Sequence, residues 1–358
     1  MNILYIGPRE AGGRNGGEMI EERNQKLLEI ICNGEVVFFA PNMRYQTYRE
    51  KIAMYIGLTN ERRNALKEII KNKHFDLVFI SQSYFGGYAK YIKKISPIPI
   101  VTFFHNAEIA YFFSAKKKDK QIWRGFYYTA KVILNEFLAV RRSDKLITLN
   151  QRDSIALKKY YGRGSDFIMP TTFIDSFSEN KAKNSILDID YLFVGSCFFA
   201  NTEGLQWFID KVLPYVKGDL YVVGNGMDKF GFSNLSDRIH IRGFVNDLSN
   251  YYNRAKIVIS PIFSGSGMKT KTAEALMYGK IIVGTKEAFE GYIINSKCMK
   301  LCNTAEDFIE ELNYLFSTKM SVVNTDARVH FQEYYKNEVL IPPFENFLKS
   351  CVVYDKRG

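Results

Sequence analysis

The chain has 358 residues, of which 46% are apolar and 24% charged, so it holds enough material for two globular domains rather than one. It contains 49 Lys and Arg against 38 Asp and Glu, and residues 1–170 alone carry 28 basic and 16 acidic residues. A basic half favours an anionic partner, which composition alone leaves open between phosphorylated substrate, phospholipid surface and nucleic acid. The five scattered cysteines exclude a disulfide framework and a zinc ribbon, and are typical of reduced thiols.

No apolar run approaches the ~20 residues that span a bilayer. The first residues form an apolar strand that runs into a glycine loop, not the pattern of a signal peptide. We therefore expect a cytoplasmic protein that is soluble or peripheral to the inner face of the plasma membrane.

The first half of the chain alternates short apolar runs with amphipathic stretches. The predicted strands are Asn2 to Ile6, Val36 to Phe39, Leu77 to Ile80, Ile98 to Phe104 and Lys145 to Leu149. After the first strand comes a glycine-rich loop and then a helix, which is predicted from the apolar spacing of Ile20, Leu27, Leu28 and Ile31. Continuous apolar runs separated by helices predict a parallel sheet that is covered on both faces.

The second half repeats this pattern, with predicted strands at Tyr191 to Val194, Leu220 to Val223, Arg238 to Ile241, Ile257 to Ser260 and Ile281 to Gly284. We predict an α/β chain of two Rossmann-like, doubly wound domains. Its parts are an N-terminal domain over 1–172, a linker over 173–188, a C-terminal domain over 189–335, and a terminal helix over 336–358 packing back on the N-terminal domain. Ligands bind outside the carboxyl ends of strands in such sheets, so we expect the site in a central cleft between the domains.

The segment from Ser260 to Gly279 predicts a strand, a glycine loop and a short helix. Glycines let the backbone approach a ligand closely, and the free amides of a first helical turn bind anions. Lys269 and Lys271 are unfavourable beside the positive end of a helix dipole, and a bound diphosphate reverses that sign. Glu274, one turn further, is placed to accept from ribose hydroxyls. Taken alone, the segment leaves a second interpretation open, in which two solvated lysines lie on a surface helix and Glu274 is the i,i+3 partner of Lys271.

Further motifs precede and follow this loop in a fixed order: Phe193-Val194-Gly195-Ser196, Asn201 to Leu213-Pro214, Val223-Gly224-Asn225-Gly226, Ile241 to Val245, Ser260-Pro261, Gly265 to Gly279 and Gly284-Thr285. This order over residues 190–292 resembles the family-four glycosyltransferases (glycosyl transferases group 1) of the GT-B fold. The resemblance implies a nucleotide-sugar donor held by the C-terminal domain, with transfer that usually retains the anomeric configuration.

The resemblance also implies individual donor contacts. Lys269 and Lys271 would hold the diphosphate, and the other implied donor-binding residues are Gly195, Asn225, Arg242, Phe244, Val245, Gly265, Ser266, Gly267, Met268, Thr270 and Glu274. Many members carry two glutamates eight residues apart. Glu274 corresponds to the second of them, whereas this chain has Ser266 at the position of the first. The chain thus looks like a subgroup with a Gly-Ser-Gly-Met-Lys type of loop.

Two features of the first half point to substrate contacts. The glycine loop after the first strand lacks the G-x-G-x-x-G spacing, so no dinucleotide cofactor is expected. Gly13, Arg14, Gly16 and Gly17 either approach the acceptor or the donor phosphates, or form an ordinary turn. His105 ends a predicted strand, where a site would lie. The family has a histidine in a matching His-Asn-x-Glu context, and we interpret His105 as a catalytic residue contacting donor sugar or acceptor.

The stretch from Lys116 to Tyr128 interleaves basic and aromatic residues. It suits an anionic membrane surface or a lipid-linked acceptor, and equally a solvated surface loop. Because no recognised nucleic-acid module is present, no nucleic-acid partner is expected.

The function that these observations favour is transfer of a sugar from a UDP- or GDP-type donor to a hydroxyl of a glycan or lipid-linked glycan acceptor, in cell-surface polysaccharide assembly. The lysines and helix amides would stabilise the departing diphosphate, so neither a metal ion nor a cofactor is expected. Two alternatives remain: a nucleotide-sugar epimerase of the same fold, and a non-catalytic anion- or nucleic-acid-binding homologue.

Overall fold

A computed structural model of the protein describes residues 1–8, 16–42, 48, 53–110, 112, 126–265 and 268–353. The chain divides into two compact units, Met1–Thr171 with Leu340–Gly358, and Thr172–Val339. Each unit contains a six-stranded parallel sheet with helices between its strands. The predicted α/β class with two parallel sheets is therefore confirmed.

The sheet of the first unit has the order β2-β1-β3-β4-β5-β6. Its strands are β1 Ile3–Ile6, β2 Val36–Phe39, β3 Leu77–Ile80, β4 Ile100–Phe104, β5 Lys145–Thr148 and β6 Phe167–Ile168. Its helices up to the boundary with the second unit are α1 Gly16–Ile31, α2 Asn60–Asn72, α3 Gly86–Ile95, α4 Phe126–Arg142 and α5 Gln151–Tyr161. All residues of β1, β3 and β4 are buried, as expected for strands covered by helices on both faces.

The sheet of the second unit has the order β12-β11-β10-β7-β8-β9, which is the Rossmann order. Its strands are β7 Ile189–Val194, β8 Leu220–Val223, β9 Ile239–Arg242, β10 Ala255–Ser260, β11 Ile281–Gly284 and β12 Met299–Leu301. The helices are α6 Glu179–Lys183, α7 Phe199–Lys211, α8 Ser249–Arg254, α9 Thr270–Met277, α10 Ala305–Ser317 and α11 Thr325–Tyr334.

The last helix, α12 Ile341–Val353, belongs to the first unit. Phe344 and Leu348 are fully buried in the core that also contains Phe79. The ring of Phe344 lies 6.2 Å from that of Phe79 in an edge contact and 6.3 Å from that of Phe167 in a stacked one. Aromatic packing of this kind ties the end of the chain to the first sheet.

Candidate functional site

The strand order of the second sheet reverses between β7 and β10. Because β8 and β9 continue on one side of β7 while β11 and β12 continue on the other side of β10, the loops after these two strands diverge. Such a reversal forms the crevice in which open α/β sheets bind their ligands. Gly195 follows β7, and the loop 261–269 follows β10 and leads into α9. The glycine loop predicted as a phosphate site therefore lies at the switch point.

Lys271, in the first turn of α9, is a buried lysine at this point, only 7% exposed. Its Nζ donates to Asn201 Oδ1 at 2.7 Å and lies 4.1 Å from the centre of the Phe193 ring. Burial lowers the pKa of Lys271 to about 7; Glu274 opposes that shift and Lys269 adds to it. Within the described part of the chain, no carboxylate oxygen lies within 4 Å of this amine. The start of α9 thus holds a buried amine whose hydrogen-bond partner, Asn201, is neutral.

Asn201 links Lys271 to the loop after β7. Its Nδ2 donates to the carbonyl of Ser196 at 2.9 Å while its Oδ1 accepts from the lysine. A Cβ at Gly195 would lie 2.9 Å from both Lys271 Nζ and Asn201 Nδ2, so a side chain there would displace one of them. This close approach explains why a glycine follows β7. The sequence predicted Gly195 as a site residue but gave no role to Asn201.

Two helices begin beside Lys271 without side-chain caps. The residues that precede α7 and α9, Phe198 and Lys269, form no side-chain hydrogen bond to the first turn of their helix. The first amides of both helices therefore keep the partial positive charge of a helix N-terminus. Since Asn201 in the first turn of α7 accepts from Lys271 in the first turn of α9, the two starts lie together. The combined field favours an anion.

Lys269 is held by the loop that follows β11. Its Nζ lies 2.8 Å from Glu287 Oε1, and the two side chains are 13% and 20% exposed. Its carbonyl accepts from the Tyr292 hydroxyl at 2.6 Å, and Thr272 Oγ1 donates to the carbonyl of Ala288 at 2.9 Å. Because Lys269 and Lys271 are both largely buried, the alternative of a solvated lysine pair is wrong.

Glu274 lies on the same helix, one turn after Lys271. Its Oε2 accepts from the Tyr252 hydroxyl at 2.8 Å, and the Tyr252 ring stacks on Tyr278 at 4.9 Å. Burial raises the pKa of Glu274, and the Tyr252 hydrogen bond and nearby Lys271 oppose that shift. No described residue bonds to Oε1 of Glu274, which leaves one oxygen as an acceptor for a hydroxyl group.

The other predicted donor contacts follow neighbouring strands at the same edge of the sheet. Cys197 N donates to the carbonyl of Asn225 at 2.8 Å, which joins the loops after β7 and β8. Arg242 ends β9, and its carbonyl accepts from Gly224 N at 3.2 Å. Phe244, two residues later, is 73% exposed. Of the remaining predicted donor contacts, Val245 and Thr270 are partly exposed and Met268 is buried. Gly265 has a φ of +136°. Ser266 and Gly267 lie outside the described residues.

In the first unit, His105 directly follows β4 and contacts a buried carboxylate. Its Nε2 lies 3.2 Å from Oε2 of Glu21, which is 1% exposed. The other oxygen of Glu21 accepts from the Tyr5 hydroxyl on β1. A carboxylate bonded in this way fixes the orientation of an imidazole ring. Glu21 was not among the predicted site residues.

Two of the predicted glycines, Gly16 and Gly17, open α1, the helix that carries Glu21. Gly13 and Arg14 lie outside the described residues, as does most of the basic and aromatic stretch around residues 116–125. Tyr127 and Tyr128, at the end of that stretch, are 50% and 62% exposed.

The segment after His105 is anchored by Glu136 on α4. The carboxylate of Glu136 accepts from the backbone amides of Glu108 at 2.6 Å and Ile109 at 3.1 Å, and from the Tyr161 hydroxyl at 2.8 Å. Burial, with a contribution from Glu136, raises the pKa of Glu108 to about 7. The buried carboxylate of Glu136 therefore supports the backbone that follows His105.

One Asp-x-Asp sequence occurs in the chain, at Asp188 and Asp190. Asp188 binds Arg254 at 2.6 Å and Asp190 binds Lys256 at 2.5 Å. Both flank the start of β7, whereas Gly195 follows its end. These aspartates are ion-pair partners away from the candidate site. Among the described residues, no group of three or more His, Cys, Asp or Glu side chains is arranged to hold a metal ion.

No helix in the described ranges is both long and apolar enough to cross a membrane.

Residues 188–318 match the model of the family described as Glycosyl transferases group 1. This match confirms the resemblance that the motif order over residues 190–292 predicted. An uncharacterised 44.6 kDa protein of the cps region of Klebsiella pneumoniae is 25% identical to this chain over 292 residues, which are 76% of this chain and 73% of the relative.

Two solved structures are similar across nearly the whole chain. Sucrose-phosphate synthase from Thermosynechococcus elongatus has a TM-score of 0.72 at 13% identity, over 99% of this chain and 100% of that one. The Anabaena protein HepE, in complex with UDP and glucose, has a TM-score of 0.64 at 15% identity, over 98% and 100%. The GT-B fold is thus confirmed. Together with the family match, these comparisons support a glycosyltransferase.

Proposed function

We propose that the protein is a retaining, metal-independent glycosyltransferase that moves a sugar from a UDP- or GDP-type nucleotide-sugar to a hydroxyl of a glycan acceptor. The observation that carries the proposal is the buried amine of Lys271, which lies where the uncapped starts of α7 and α9 meet and which, among the described residues, has no carboxylate oxygen within 4 Å. Burying an unpaired cation is unfavourable unless an anion completes the site. A diphosphate supplies that anion.

The chemistry follows from the charge that develops as the nucleoside diphosphate leaves. Lys271, Lys269 and the first amides of α9 stabilise that charge. The unbonded Oε1 of Glu274 accepts from a ribose hydroxyl, and Arg242 to Val245 border the base. No side chain of this set acts as a base, so the departing phosphate takes the proton of the acceptor hydroxyl.

His105 contacts the donor sugar or the acceptor in this proposal. Glu21 fixes the imidazole by bonding Nε2, so the ring presents one defined nitrogen to the substrate. The acceptor is a glycan or a lipid-linked glycan of a cell-surface polysaccharide, which is supported by the relative named from a cps region. Use of a UDP-linked donor is supported by the UDP and glucose named for the Anabaena protein. A place at the cytoplasmic face of the membrane remains a prediction.

The proposal is tested by replacing Lys271 and, as a control, Lys280, another buried lysine of the second unit. Lys280 is also buried, and its pKa is also lowered to about 7, but its Nζ donates to the carbonyls of Asn253 and Val322. Lys271→Met is expected to weaken binding of UDP- or GDP-sugars by at least ~100-fold, as expected for loss of a charged, partly desolvated contact. Lys280→Met is expected to leave that affinity within about twofold, whatever it costs in stability.

Binding is measured by titration calorimetry, and turnover by release of UDP or GDP with a mixture of glycan acceptors. Wild-type donor affinity in Lys271→Met would refute the proposed phosphate site. A new sugar nucleotide formed from UDP-GlcNAc without any acceptor would instead identify an epimerase.

A further inference from the structure

The loop after β11, residues 285–292, places a carboxylate beside the lysines of the candidate site. Glu287 Oε1 lies 2.8 Å from Lys269 Nζ in a largely buried ion pair. Lys269 itself lies over the glycine loop, because its Nζ is 3.7 Å from the Cβ position of Gly265. A negative charge is therefore fixed on the same ammonium group that is proposed to bind the diphosphate.

Several buried contacts fix the backbone that carries this carboxylate. Thr285 Oγ1 donates to the carbonyl of Ile262 and accepts from Ala288 N at 3.2 Å. The carbonyl of Ala288 accepts from Thr272 Oγ1, and the Tyr292 hydroxyl donates to the carbonyl of Lys269. The loop is thus bonded to the strand end before the glycine loop and to the first turn of α9 after it. Glu287 is part of the site's framework.

We propose that Glu287 is an affinity-limiting residue, which competes with the diphosphate for Lys269 and so speeds release of the nucleoside diphosphate product. The proposal rests on the proposed function of this site. A carboxylate and a phosphate that share one ammonium group repel each other at the effective dielectric of about 20 that applies near a protein surface. Once the phosphate has released the proton that it took from the acceptor, the product carries one more negative charge than the sugar nucleotide, because the sugar–oxygen bond is broken and its oxygen stays on the phosphate. The repulsion therefore acts on the product more than on the donor.

A different role for Glu287 makes the opposite prediction. If the carboxylate only orients Lys269 toward the diphosphate, its removal weakens binding. Glu287→Gln separates the two roles, because the amide oxygen still accepts from Lys269 while the charge is gone. We expect the dissociation constants of UDP, GDP and inorganic pyrophosphate to fall about tenfold, and that of the intact UDP- or GDP-sugar to fall less.

Glu311→Gln on α10 is the matched control. Glu311 forms a half-buried ion pair with Lys300 at 3.6 Å on the edge strand β12, so its replacement changes the net charge of the unit equally. Product affinity in this variant is expected to stay within about twofold of the wild type. Equal tightening in both variants would mean that net charge alone is responsible, and would overturn the role of Glu287.

Titration calorimetry with the three anions decides the matter, and product inhibition of turnover provides a second measurement. Unchanged or weaker product binding in Glu287→Gln overturns the proposal. If Glu287→Gln does not fold, Glu287→Ala is used, which also removes the charge; absence of any tightening again overturns the proposal. Loss of binding in Lys271→Met together with no tightening in Glu287→Gln refutes Glu287 alone, whereas wild-type binding in Lys271→Met refutes the diphosphate site itself.

Discussion

Donor binding is expected to take up a proton, because Lys271 must be charged to hold a diphosphate. Its pKa is about 7 in the ligand-free protein, where burial opposes the charged form. Two phosphate groups beside the amine favour the charged form and return the pKa to its ordinary range near 10 or above. At pH 8.5 the free amine is only about 3% protonated, so binding takes up nearly one proton.

The sign of the pH dependence follows. Between about pH 7 and pH 10 the bound state holds one proton more than the free state, so donor affinity falls as pH rises, by about tenfold per pH unit at the steepest point. Below pH 7 the amine is already charged and the dependence disappears. The diphosphate of an intact nucleotide-sugar does not titrate in this window, and its uracil or guanine ring stays protonated up to about pH 8.5, so it is the ligand to use.

Calorimetric titrations at pH 8.5 in buffers of different ionisation enthalpy count the protons directly. Lys271→Met, if it still binds at high ligand concentration, is expected to show no uptake, whereas Lys280→Met is expected to keep it. Wild-type binding without proton uptake, with affinity constant from pH 7 to pH 9.5, would refute the assignment of the buried amine to the diphosphate.

Two further outcomes test the site and the fold. Gly195→Ala places a methyl group 2.9 Å from Lys271 Nζ, and we expect about tenfold weaker donor binding with a nearly unchanged melting temperature; equal donor affinity by calorimetry would contradict this. Phe344→Ala empties a fully buried position of the first core and is expected to cost about 3–5 kcal/mol in urea unfolding, against about 0.5 kcal/mol for the exposed neighbour Asn346→Ala. Equal, small losses would show that α12 does not belong to that core.

The sequence predicted most strands because burial on both faces leaves an unmistakable local signal. All five strands predicted in each half occur within two residues of their predicted bounds, as in Val36–Phe39 and Leu77–Ile80. The two missed strands, β6 with two residues and β12 with three, lie at sheet edges and have partly exposed residues. Helix α6 was missed within the predicted linker, because only Ala182 of its five residues is apolar and buried. Short, half-exposed elements carry little periodic signal.

Of the candidate site, only the residues of the glycine loop and the helix after it could be predicted from the sequence. Lys269, Lys271 and Glu274 share one loop and one helix, so their spacing reveals them. The partners that define their chemistry come from elsewhere: Asn201 is 70 residues away from Lys271, and Glu21 is 84 residues away from His105. Such pairs depend on which strands are neighbours, and no local spacing encodes that order.

The distribution of charge at the candidate site has a consequence for the proposed turnover. Two exposed cations at a helix start would bind diphosphate tightly both before and after transfer. In the structure Lys269 is neutralised by Glu287, and burial keeps Lys271 only partly charged near pH 7. In the proposed reaction, much of the positive charge therefore appears only as the diphosphate binds, which reduces the net free energy of binding while preserving stabilisation of the leaving group. An enzyme that must release a highly charged product after every transfer gains from such a site, since tight product binding would limit its rate.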